Sequence, residues 1–187
     1  DQIGGPSVQP YQPPGYYDAL QFPTRDYIVS TGPEQWRRGV YMHWQRTFLH
    51  PMLANFDAPM RDECTANRPP SNTPQQALTL LNDPSFVEAA RSMAAMLLNE
   101  KLPDDEARLQ RAWEKALARS VKDGEKKSML AFLDSQRQTY RVDTSAADKI
   151  IHVGLSPVSG NCDPSELAAW TEVCRVILNL QETITRY

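Results

Sequence analysis

The chain has 187 residues, of which 41% are hydrophobic and 23% charged, with a net charge of −3. That length holds one domain or a compact part of a larger protein. The near balance of charge excludes nucleic acid as a bulk electrostatic partner. No apolar run approaches the roughly 20 residues that cross a bilayer, so no membrane span is expected.

The anomaly is proline, present 15 times, or about 8% against a usual ~5%. All but Pro103, Pro157 and Pro164 lie between Pro6 and Pro84. Residues 1–32 combine Pro6, Pro10, Pro13, Pro14 and Pro23 with Tyr11, Tyr16, Tyr17, Leu20 and Phe22. Proline fixes φ and lacks an N–H, which excludes a helix or a central strand here. A disordered tail would be poor in aromatic residues. The stretch therefore reads as an ordered, irregular arm, with a short extended piece at Tyr27–Val29.

Other prolines start helices, because the first helical N–H has no intrahelical partner anyway. Thr73-Pro74-Gln75-Gln76 and Asp163-Pro164-Ser165-Glu166 place a capping oxygen, a proline, and Gln or Glu three residues after the cap. Asp83-Pro84 and Gly32-Pro33 are looser versions. Apolar periodicity predicts a buried helix over 33–49 and a short helix over 74–81. It predicts further helices over 84–100, 104–119, 123–141 and 164–184. Residues 142–163 contain Gly154, Pro157 and Gly160 and read as a long loop. The expected fold is mainly α: an irregular proline-rich N-terminal arm (1–32) plus a helical bundle (33–187), as a single domain.

Cys64, Cys162 and Cys174 show neither C-x-x-C spacing nor a C-x-x-C-H haem attachment site, so no cofactor is expected in this segment. Cys174 lies about eleven residues inside the last predicted helix, some 16 Å beyond Cys162 at ~1.5 Å per residue, too far for a bridged pair. Cys174 reads as a core residue. The disulfide state of Cys64 stays open. The charges between Ala112 and Lys127 alternate in sign, as on a solvated helix surface.

Polar residues concentrate at 43–73. An enzymatic reading makes His50 a general base, Asp57 its orienting carboxylate and Arg61 an anion binder. A metal reading takes His43, His50 and Asp57, but positions seven apart on a helix stand about 10 Å apart along its axis, too far for one ion. No metal site is expected. The structural reading has Asp57 and Arg61 bracing a long loop, and His50 closing the C-terminus of the preceding helix. Cys64, Asn72 and Thr73 belong to that loop, with Asn72-Thr73 as a helix cap.

These residues carry a resemblance. Ile3-Gly4-Gly5-Pro6-Ser7-Val8 is followed by Pro10-Tyr11-Gln12-Pro13-Pro14-Gly15. His43-Trp44-Gln45-Arg46-Thr47-Phe48-Leu49-His50-Pro51-Met52 leads to Phe56-Asp57-Ala58-Pro59 and Cys64-Thr65. Then come Ser71-Asn72-Thr73-Pro74-Gln75-Gln76-Ala77-Leu78-Thr79-Leu80-Leu81-Asn82-Asp83-Pro84 and, near the end, Glu166-Leu167-Ala168-Ala169-Trp170-Thr171. Across essentially its whole length the chain resembles the C-terminal domain of large planctomycete-type, cytochrome c-associated exported proteins, the domain of unknown function 1553 family.

The resemblance implies a C-terminal fragment of a larger, exported or periplasmic precursor. Its partners would be the upstream part of that precursor and other protein subunits, with haem c in a separate upstream domain. It carries no established activity, so no catalytic residue transfers. It marks His50, Asp57, Arg61, Cys64, Asn72 and Thr73 as the loop of interest. Met60 stands where an acidic residue is common, which weakens a two-carboxylate mechanism there. The expected function is a non-catalytic structural or interaction domain, in the context of an envelope electron-transfer assembly. The alternative is a hydrolase-like enzyme, acting on polysaccharide, with its site in the 43–64 loop. Asp57, Asp62 and Glu63 are its available carboxylates, but a glycosidase pair must flank its substrate at a defined separation.

Overall fold

The computed structural model describes residues 3–19, 26–45, 48–60, 64–158 and 162–184. The chain divides into two compact units, Asp1–Gln76 and Ala77–Tyr187. Among the described residues the regular elements are helical: α1 (Pro51–Asn55), α2 (Pro74–Asn82), α3 (Pro84–Asn99), α4 (Asp105–Leu117), α5 (Asp123–Val142), α6 (Thr144–Ile151), α7 (Pro164–Leu178) and α8 (Gln181–Ile184). The mainly α class expected from the sequence holds.

The first unit is organised by extended chain and turns. Val8 is buried, and its N–H donates to the Tyr41 carbonyl at 2.9 Å while its carbonyl accepts from His43 N at 2.7 Å. On the other side Ser30 N donates to the Gln9 carbonyl at 2.7 Å, and Gln9 N donates to Ser30 Oγ at 3.0 Å. Val8 and Gln9 of the proline-rich stretch thus pair through both N–H and carbonyl groups with two later segments, one of them next to the extended piece around Tyr27–Val29.

This pairing overturns the helix expected over 33–49. Described residues there form short 3-10 turns at Gly32–Trp36 and Gly39–Tyr41 and then extended chain. Gly39, Val40, Tyr41, His43 and Trp44 are weak helix formers, and the backbone of 41–43 is engaged by Val8. The apolar spacing that suggested burial misled, since Trp36 is 46% exposed and Val40 70%.

The second unit is a bundle around α7. From Leu167 to Leu178 no residue is exposed, and Ala168, Ala169, Trp170, Thr171, Val173, Cys174 and Ile177 have no accessible surface. A helix buried around nearly all of its circumference is a central one. Helices α3, α5 and α6 pack on it. Helix α3 brings buried Ala90, Ala94 and Ala95, small enough for close approach.

The caps read at Asp83 and Asp163 are present, whereas at Gly32-Pro33 a 3-10 turn forms with no side-chain cap bond. Asp83 Oδ1 accepts from Ser85 N at 2.9 Å with Pro84 at N1, and Asp163 Oδ2 accepts from Glu166 N at 2.9 Å with Pro164 at N1. The acids of the α4 and α7 N-termini meet at one cation. Arg137 Nη1 donates to Asp105 Oδ2 at 2.6 Å and Arg137 Nε to Glu166 Oε2 at 2.9 Å, while Trp170 Nε1 donates to Glu166 Oε1 at 3.0 Å. The alternating charges of 112–127 form surface ion pairs, Arg119 with Glu125 at 2.8 Å and with Glu182 at 2.7 Å.

Two boundaries differ from expectation. Part of the supposed loop 142–163 is α6, which buries Ala147 and Ile151. The last helix ends at Leu178, and α8 follows as a separate turn.

The loop after α6 is pinned from below. Glu88 and Arg91 of α3 are 1% and 3% exposed. Glu88 Oε2 accepts from Leu155 N at 2.6 Å, and Arg91 donates to the Ile151 and Ser156 carbonyls. Gly154 has φ +102°, and a Cβ there would stand 2.1 Å from Glu88 Oε2. Gly154→Ala should therefore destabilise the Ala77–Tyr187 unit by about 2 kcal/mol or more in urea denaturation, from backbone strain and a displaced buried carboxylate. Gly124→Ala, with open space around it, should shift stability by less than about 1 kcal/mol.

The three cysteines are free, with Cys64 exposed and Cys174 buried. Burial pushes the Cys174 thiol far above its ordinary range. Under native conditions Ellman's reagent should label Cys64 rapidly, and Cys174 only after denaturant is added.

Candidate functional site

His50 does not close a helix; it opens one. It is the N-cap of α1, its Nδ1 accepts from Met52 N at 3.2 Å, and Pro51 follows at N1. His50 is 5% exposed. Burial lowers its pKa, outweighing the nearby Tyr11 and Pro10 carbonyls, which favour the charged form. The cap requires an unprotonated Nδ1, so cap and burial both favour the neutral ring.

Helix α1 ends in a Schellman turn. Ala58 N donates to the Leu53 carbonyl at 2.9 Å and Asp57 N to the Ala54 carbonyl at 3.4 Å. Such a turn needs one left-handed residue, and Asp57 supplies it at φ +58°. Aspartate tolerates this conformation better than most side chains.

The Asp57 carboxylate is engaged by Ser71. Oδ2 accepts from Ser71 N at 2.6 Å, and Ser71 Oγ lies 2.8 Å from each carboxylate oxygen. Gln76 completes the node. Its Nε2 donates to the Asn55 carbonyl and Ser71 Oγ, both at 2.9 Å, and reaches Asp57 Oδ2 at 3.4 Å. Its Oε1 accepts from Thr73 N at 3.1 Å, while Thr73 Oγ1 accepts from Gln76 N at 3.2 Å. That is the capping box read at Thr73-Pro74-Gln75-Gln76, with Gln76 buried to 3% exposure. One glutamine thus caps α2 and ties both ends of the loop together.

Among the described residues no hydrogen bond or ion pair joins His50 to Asp57, and no group of three His, Cys, Asp or Glu side chains could hold a metal ion. Cys64 and Asn72 are exposed. Arg61, Asp62, Glu63 and Arg46 lie outside the described residues. Asp57 braces the turn through Ser71, and Thr73 caps α2. Ser71 and Gln76 are the partners that sequence reasoning did not assign to Asp57. No helix of the described residues is long and apolar enough to cross a membrane.

Residues 1–133 match the family described as PSD1: Protein of unknown function (DUF1553). The chain belongs to this family. Neither curated proteins nor solved structures yield a match. The PSD1 match covers the braced loop, the proline-rich stretch and α1 to α4, and extends into α5.

The hydrogen bonds from Ser71, its backbone N–H first, hold the Asp57 carboxyl below its ordinary 3.8. A lowered carboxyl pKa gives stability that is full above the unfolded value and is lost as pH falls through the folded one. In a carbon-detected NMR titration Asp57 should titrate below 3.8, with the Ser71 amide shift following the same curve. Asp57→Asn should abolish that dependence and speed proteolysis of the 58–71 loop at neutral pH.

Proposed function

We propose that this PSD1 chain is a non-catalytic interaction domain of an exported, c-type cytochrome-associated protein, working within an envelope electron-transfer assembly. The family resemblance supplies that context. The carrying observation is an apolar face that the fold leaves in water. Ile3 is 91% exposed, Val40 70% and Trp36 46%, around a depression of about 490 Å³ that Pro33 and Tyr41 also line.

Arg37 and Arg38 line the same depression. Arg37 stacks 3.8 Å over the Tyr41 ring and donates to the Pro6 carbonyl at 3.1 Å. Exposed tryptophan, tyrosine and arginine are the residue types that anchor interfaces. The two arginines favour a partner segment that sets carboxylates beside an aliphatic or aromatic anchor. The upstream part of the same precursor is the proposed source of that segment. At His50 and Asp57, by contrast, the side chains are engaged by the loop itself.

Produced separately, the upstream region and this chain should co-elute, and Trp36→Ala with Val40→Asp should weaken the complex by about tenfold or more. Both positions are solvent-exposed, so folding should survive. A complex indifferent to these changes would overturn the reading. So would hydrolysis of a polysaccharide by the purified chain that disappears in Asp57→Asn.

A further inference from the structure

A second concavity, apart from the Trp36 face, lies within the first unit, and His50 packs 6.2 Å from one of its lining rings, Tyr27. It measures about 480 Å³ and is lined by Tyr11, Gln12, Tyr16, Tyr17, Asp26 and Tyr27, with Pro13 and Pro14 forming a wall of fixed backbone. That volume suits a small molecule or one long side chain. We infer that this cleft binds an organic cation bearing N–H donors, an ammonium or guanidinium group.

Four observations converge on that chemistry. The lining is rich in tyrosine rings, and they are held in a set. Tyr17 meets Tyr27 edge-on at 5.1 Å and Tyr16 at 6.3 Å. Ring faces carry negative quadrupole density, which attracts a cation.

Asp26 is the charged residue among the described lining, and it is exposed. An anionic ligand would meet a carboxylate and ring faces of the same sign.

Gln12 is 7% exposed, and its Oε1 has no hydrogen-bond partner among the described residues. A buried acceptor without a donor is costly; with less than 1 Å² of its own surface it meets a ligand donor once the Gln12 side chain turns toward the cleft, and that bond relieves the cost.

Two of the hydroxyl protons are already committed. Tyr16 donates to the Leu49 carbonyl at 3.0 Å and Tyr27 to the Pro10 carbonyl at 2.5 Å. These bonds also fix the rings in place, so the cage is pre-formed. The cleft therefore offers mainly acceptors. A neutral sugar presents donors and acceptors in equal measure and would leave its own acceptors poorly matched. A guanidinium or ammonium presents donors alone.

The test uses the whole chain and blocked arginine, N-acetyl-L-arginine amide, against N-acetyl-L-citrulline amide, which keeps the shape and loses the charge. Binding is followed by NMR on the tyrosine ring resonances. The arginine compound should give saturable shifts at Tyr11, Tyr17 and Tyr27, and the citrulline compound none at the same concentration.

Asp26→Asn should weaken binding by up to about fivefold, the size of a solvent-exposed ion pair. In the unaltered protein, raising NaCl to about 0.5 M should weaken it as well, and this arm does not depend on how the variant folds. Methylguanidinium and a blocked Gly-Arg-Gly peptide separate the two sources of the group. Tighter binding of the peptide assigns the site to a partner's side chain, and tighter binding of methylguanidinium to a free cation. Equal shifts with citrulline, no shifts with any cation, or saturable shifts with cellobiose alone would each overturn the inference.

Discussion

Helix α7 leaves only a partly covered edge at Glu172, Arg175 and Val176 to water, and the second unit is the arrangement that satisfies this constraint. A stripe buried on one side needs one neighbour; a helix buried nearly all round needs several. Helices α3, α5 and α6 supply them. Alanines on α3 and α7 permit close approach, and Trp113 and Trp170 fill the larger spaces among the core residues. The polar groups that come along are paired. Thr171 Oγ1 donates to the Leu167 carbonyl at 2.7 Å within α7. Arg137 neutralises the acids that two helix starts bring together, so that these termini keep their favourable dipole partners without mutual repulsion.

The first unit solves a different problem. Its prolines remove N–H groups and forbid long helices, so no large apolar stripe can form. Order comes from side chains bonding to backbone: Tyr16 to Leu49, Tyr27 to Pro10, Asp57 to Ser71, Gln76 to Asn55. Such a framework uses its polar groups internally. This is why the residues that look most chemical in the sequence, His50 and Asp57, serve as a helix cap and a turn. It is also why apolar and aromatic surface is left facing water at Ile3, Trp36 and Val40.

The helices of the second unit were legible because their signals are local. Proline at N1, a capping oxygen before it and apolar periodicity after it agree at Asp83, Thr73 and Asp163. The error at 33–49 has a physical source. Apolar residues at helical spacing say nothing about a distant strand partner, and Val8 takes up the backbone of 41–43. Helix α6 was missed because Gly154, Pro157 and Gly160, which marked the loop, lie beyond its end. In the loop, the cap at Thr73 and Gln76 was readable from four consecutive residues. The Ser71–Asp57 contact was not, since it joins residues fourteen apart. Glu88 and Arg91 look like an ordinary surface pair three residues apart; only their burial reveals that they hold the loop after α6.

Asp143 ends α5 and at the same time starts α6, its Oδ1 accepting from Ala146 N at 2.9 Å. A single residue therefore sets the phase between two helices. Adding or removing one amino acid there would rotate α6 by about 100° relative to α5, turning Ala147 and Ile151 out of the core. Length variation among relatives is therefore expected beyond Ser156, past the bonds to Glu88 and Arg91, rather than at this joint, where the chain has no slack to absorb it.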